Sequence, residues 1–124
     1  MSAFTKGGTI YPFRAADTDA WTWALGEPLV WEVRGAGRGF DLTVPQGFVS
    51  DLGSIPWWCR WAVNPADPQL AKAFILHDWI LAEFGPACQP FAASQLYEAM
   101  RALGAPQGKR KLIAVAVVAA IDDW

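Results

Sequence analysis

Apolar and polar residues alternate through the first half of the chain, the period of two that marks strands with one covered face. Thr9-Ile10-Tyr11-Pro12-Phe13-Arg14 reads as the opening strand, and its proline, which cannot donate to a ladder, fits an edge position. Trp21, Trp23 and Leu25 alternate with Thr22 and Ala24 as one buried strand face would. Beyond the turn Gly26-Glu27-Pro28, Leu29, Trp31 and Val33 point one way and Val30, Glu32 and Arg34 the other, so the sheet has a wetter side. Gly35-Ala36-Gly37-Arg38-Gly39 supplies the permissive backbone of a hairpin loop, and the return, Phe40-Asp41-Leu42-Thr43-Val44, alternates again. Pro45-Gln46-Gly47 predicts a turn, after which Phe48-Val49 briefly resumes the strand.

The period then lengthens to three or four. Ser54 is a natural N-cap with Pro56 in the first turn, and Trp57 and Trp61 fall on one face of a short helix that Asn64-Pro65-Ala66-Asp67-Pro68 breaks. With Asp67 as cap and Pro68 at the first helical position, Leu70, Phe74, His77, Leu81 and Phe84 form the apolar stripe of a longer helix, ended by Gly85-Pro86. Ala92 to Leu103 predicts another, with Leu96, Met100 and Leu103 inward, Glu98 and Arg101 outward, and Gly104 closing it. A last helix runs from about Lys109 to Asp122, its valines and alanines allowing close packing under the sheet. Strands first and helices after make an α+β domain: an N-terminal antiparallel β-sheet of hairpins, with about four to five strands, packed on about three to four C-terminal helices. A single domain over residues 1–124 accommodates all of it, long enough to bury a core without staples.

A formal net charge of -2 gives no broad positive field, which argues against general nucleic-acid binding through phosphate contacts. Lys109-Arg110-Lys111 is the basic cluster, placed where the last helix begins, and reads as a solvated helix start. Cys59 and Cys88 lie in neither a CxxC nor a Cys/His metal pattern and are read as reduced, buried thiols. Met1 to Gly8 lacks the continuous apolar stretch of a signal peptide, which places the protein in a reducing cytoplasm or in a larger assembly. Leu112 to Ile121 is about half of the ~20 residues a membrane span needs, and so is read as a core helix. The anomaly is the content of 8 tryptophans: each is a large apolar body with one N–H to satisfy, favoured in cores and at partner-binding surfaces alike. Trp57, Trp58 and Trp61, three large rings beside a loop, are the candidate binding surface.

His77 is the sole histidine, and Asp78 follows it inside the greasy stretch from Leu70 to Phe84. Asp78 sits about 100° round the helix from His77, so both can line one groove at different depths. The candidate partners lie upstream, Asp51 and Ser54 in the loop-like run Phe48 to Pro56. A loop folded back on the helix would bring the Asp51 carboxylate to the imidazole, with Ser54 within one turn of both. Three outcomes are open. Asp51 accepts a hydrogen bond from His77 and clamps the loop, with no cofactor. Alternatively, Asp51, His77 and Asp78 hold a divalent metal that activates water, although one histidine with two carboxylates is a thin ligand set. Or Ser54, His77 and an aspartate act as nucleophile, base and orienter, against which Ser54 has a capping role and no GxSxG elbow.

The same residues carry a resemblance. Val44 to Pro56, then Ala73-Phe74-Ile75-Leu76-His77-Asp78-Trp79, then Tyr97 to Gly104 resemble, in order and spacing, the domain-of-unknown-function family numbered 1353, over roughly residues 40 to 120. That resemblance implies a phage or prophage protein, working in a host cytoplasm or assembled in the virion, and supplies no activity. The family pattern carries an acidic residue near the start of the third helix, where this chain has Ala93-Ser94-Gln95. With that carboxylate missing and tryptophan in excess, the expectation is a small phage- or prophage-encoded protein with a protein partner, phage or host. It would act through a Trp-rich surface, as a virion- or tail-associated component or as a modulator of a host system. The alternative is a metal-assisted hydrolase centred on Asp51, His77 and Asp78.

Overall fold

The computed structural model describes residues 3–7, 10–14, 21–33, 40–50 and 68–119. The chain divides into two compact units, Met1–Asp51 and Leu52–Trp124, the first holding the strands and the second the helices, so the α+β class holds.

The first unit contains β1 (Ala3–Gly7), β2 (Ile10–Arg14), β3 (Trp21–Leu25), β4 (Leu29–Val33), β5 (Phe40–Val44) and β6 (Val49–Ser50). They form two three-stranded antiparallel sheets, ordered β1-β4-β5 and β2-β3-β6. The two orders are one pattern seen twice. β1 and β2 make a first arm, β3 and β4 a second and β5 and β6 a third, always in the order first, second, third, and each arm places one strand in each sheet. The register survives the crossing: Ala24 faces Val49 before it and Leu29 faces Val44 after it. The turn at Gly26-Glu27-Pro28 therefore carries the chain between sheets and does not fold β4 back on β3, whereas the expected hairpin between β4 and β5 is present.

Hydrogen bonds at the corner explain the bend. The Gly47 N–H donates to Leu25 O at 2.8 Å, the Leu25 N–H donates to Phe48 O at 3.1 Å, and the Phe48 N–H closes a turn on Pro45 O at 3.2 Å. Two residues of the third arm thus oppose one of the second, a bulge whose first position requires a left-handed backbone. Gly47 supplies it at φ 88. A β-carbon there would meet no neighbour, but the backbone itself would be strained by about 1–2 kcal/mol.

Burial follows the alternation. Leu29, Trp31 and Val33 are buried while Val30 and Glu32 are half-buried, and on β5 Leu42 and Val44 are buried while Asp41 and Thr43 are exposed. The sequence pattern did not indicate β1, whose Phe4 faces Trp31 with ring centroids 4.6 Å apart. β2 lies at a sheet edge, as its proline requires.

In the second unit, α1 (Pro68–Phe84) packs on α2 (Gln89–Ala102), and α2 on α3 (Gln107–Ala119). A single 3-10 turn, Pro86–Cys88, joins the first two. α1 begins at Pro68 as expected and ends where Gly85, at φ 85, donates its N–H to Leu81 O at 2.9 Å. Ala73 through His77 are buried without a break, so the helix is enclosed on every side at its middle. Its last turn emerges: Phe84, expected on the inward stripe, is 50% exposed. α2 starts earlier than Ala92 because Pro90 is accommodated in the first turn, where no N–H is needed. Its end is capped by N–H donation from Gly104 to Arg101 O and from Ala105 to Met100 O, which satisfies two terminal carbonyls. Leu96 and Met100 face inward as expected, and Glu98 is half-buried instead of fully outward. α3 begins before the basic cluster, and Val115 is 65% exposed, so its valines are not all packing residues. Among the described residues no helix is long and apolar enough to cross a membrane.

Candidate functional site

α1 carries the chemistry that the sequence singled out. His77 lies in the enclosed middle of the helix with 0% of its side chain exposed, and Asp78, one position on, keeps 15%. Nδ1 of His77 and Oδ1 of Asp78 are 3.7 Å apart, beyond hydrogen-bonding reach but close enough for electrostatic contact. Consecutive helical residues diverge by about 100°, so the two approach only by leaning toward each other along the helix surface. Ala73, Phe74, Leu76 and Ile80, close to His77 in sequence, are buried as well.

That burial decides what the imidazole can do. A side chain with no exposed surface cannot meet a substrate, or share a metal with solvent water, without opening of the helix packing. It can fix buried polar partners, and a polar group enclosed this fully is stabilising only when satisfied. Asp51 and Ser54, the expected partners of His77, lie outside the described residues, as do Trp57, Trp58 and Trp61; β6 ends at Ser50, one position before Asp51. Among the described residues no group of three histidine, cysteine or carboxylate side chains is placed to hold a metal.

The start of α2 holds neutral groups where the resemblance implies an acid. Ser94 Oγ donates to Phe91 O at 2.8 Å, and Gln95, buried, donates its Nε2 to Ser94 Oγ at 3.3 Å. Cys88, expected to be buried, is a half-buried free thiol at the N-cap of this helix. In the basic cluster Lys111 is exposed, Lys109 and Arg110 are half-buried, and the Arg110 guanidinium lies 5.3 Å from the centroid of the Tyr97 ring. The cluster is thus partly tied to α2 through a cation–π contact rather than merely solvated.

Sequence reasoning missed one aromatic feature. Trp79 and Phe84 meet edge to face, ring centroids 5.8 Å apart and planes at 82°, with Trp79 half-buried and Phe84 open to solvent. Five residues apart, they do not share a helical stripe, and only the helix end at Gly85 would have signalled that Phe84 stands clear. Trp31 is the opposite case, a tryptophan with 0% exposure that serves the core.

A family model described as "Protein of unknown function (DUF1353)" matches residues 23–117. No curated protein and no solved structure matches the chain.

Proposed function

Because the chain belongs to the DUF1353 family of proteins of unknown function, we propose that it is a small phage- or prophage-encoded protein that acts through a tryptophan-rich surface on a phage or host protein. It works either as a virion- or tail-associated component or as a modulator of a host system, in the host cytoplasm or assembled in the virion. The observation that carries this reading is the aromatic pair at the open end of α1, where Phe84, half exposed, is held edge-on by Trp79. Ordered aromatic rings with an open face lose little entropy on contact and dominate interface energetics. Trp57, Trp58 and Trp61 extend the same chemistry in this proposal. The competing reading, a metal-assisted hydrolase centred on Asp51, His77 and Asp78, needs an imidazole that metal and water can reach, and the full burial of His77 weighs against it.

Association is the test. Tagged protein is expressed in phage-producing cells, and phage and host proteins co-purifying with wild type are compared with those retained by Trp57→Ala, Trp58→Ala, Trp61→Ala and Phe84→Ala. At least one variant is expected to lose about tenfold or more in retention of a specific protein, the cost of one aromatic anchor, while keeping the wild-type melting curve. Equal retention by all four folded variants would contradict the proposal.

A further inference from the structure

Cations collect where α2 hands over to α3. α3 opens with Lys109, Arg110 and Lys111 and has no acid in its first turn, although a carboxylate there gains from the helix dipole and a cation loses by it. Helix stability therefore does not account for the cluster. The Arg110 guanidinium is held over the Tyr97 ring at 5.3 Å, while its Nε is buried and donates to no acceptor. A buried donor left without an acceptor costs stability, and an arginine fixed on an aromatic ring presents its remaining N–H groups as a preformed fork for an oxyanion. Arg101 stands one turn after Tyr97 on α2 and is exposed, as is Lys111 beside Arg110 on α3. Among the described residues no carboxylate forms an ion pair with Arg101, Arg110 or Lys111, Glu98 included.

An apolar half adjoins the cations. Val115 stands four positions after Lys111 and three after Leu112, so the three share one outward face of α3, with Leu112 42% and Val115 65% exposed. Cations beside exposed branched aliphatic side chains suit a segment that mixes carboxylates with apolar residues. The phosphates of a nucleic acid offer nothing to Leu112 and Val115, and the net charge of -2 repels a polyanion at longer range. We propose that Arg110, Arg101 and Lys111, together with Leu112 and Val115, form a docking surface for an acidic, apolar-containing segment of a partner protein. Arg110 takes a carboxylate in its fork, Arg101 and Lys111 flank it, and the two aliphatic residues cover the apolar side chains of the segment. The surface is separate from Trp57, Trp58 and Trp61.

Fluorescence anisotropy of a labelled peptide of glutamate, leucine and serine, titrated with the full chain, tests this. The wild type is expected to bind, with an affinity that falls as salt rises. Both positions of Arg101→Glu/Lys111→Glu are exposed, so this double variant should keep the wild-type melting curve and lose about tenfold or more in affinity. Arg110→Lys keeps the charge but not the planar fork, and should weaken binding as well. A peptide with lysine in place of glutamate should prefer the double variant to the wild type. No binding by the wild type, binding unchanged in either variant, or tighter binding of a single-stranded oligonucleotide of equal charge would overturn the proposal.

Discussion

Trp31→Ala is expected to lower the unfolding free energy by about 4 kcal/mol, the cost of truncating a fully buried tryptophan. Trp31 is 0% exposed at the centre of β4, with Phe4 opposite on β1 and Leu42 opposite on β5. Removing the indole takes away the Phe4 ring contact at 4.6 Å and leaves a cavity that both neighbouring strands line. Since a domain of this size is stable by about 5–15 kcal/mol in all, the loss is a large fraction of the total. Urea denaturation reads it as a lower midpoint with an unchanged slope. Glu32→Ala, next in the strand on the wetter face, serves as control and should change stability by less than about 1 kcal/mol. Near-equal effects at the two positions would mean that the alternation of β4 does not define the core of this unit.

His77→Ala is expected to cost about 3 kcal/mol, combining the cavity left by the ring with the desolvation of whatever polar groups it now satisfies. The ring has no exposed surface and lies in a run of five buried positions, Ala73 to His77, so little relaxation from solvent can fill the gap. This substitution also separates the two readings of the histidine. If the imidazole is a structural group, protein purified without chelator carries no stoichiometric metal, and the variant differs only in stability. A metal bound one to one in the wild type and lost in His77→Ala would instead favour the hydrolase centred on Asp51, His77 and Asp78.

What the sequence revealed, and what it hid, follows from the range of the forces involved. The alternation of Leu29, Trp31 and Val33 with Val30 and Glu32 is a local period, and the structure buries the first set as that period requires. The placement of His77 on the inward side of a helix was equally local, resting on its spacing from Leu70 and Phe74. The bent three-arm meander was not legible, because the bend depends on Gly47 and Phe48 meeting Leu25 across more than twenty residues of chain. β1 escaped notice because Lys6 and Gly7 dilute the strand signal around Phe4, whose reason to be there is Trp31. Periodicity predicted an inward Phe84 because a stripe carries no information on where a helix leaves its neighbours. At the candidate site, the closeness of His77 to Asp78 was readable from their adjacency; the role of Asp51 and Ser54 rests on residues outside those described.

Hydroxyl-radical footprinting resolved to single side chains addresses the proposed surface most directly, because the fold provides its own scale. Trp31 marks the rate of an enclosed indole, and Phe84 that of an aromatic ring open to water. The account predicts that at least one of Trp57, Trp58 and Trp61 is oxidised at a rate set by free access, far above that of Trp31. Oxidation of all three as slow as that of Trp31 would contradict it, leaving Trp57, Trp58 and Trp61 enclosed and the proposed surface without the tryptophans that define it.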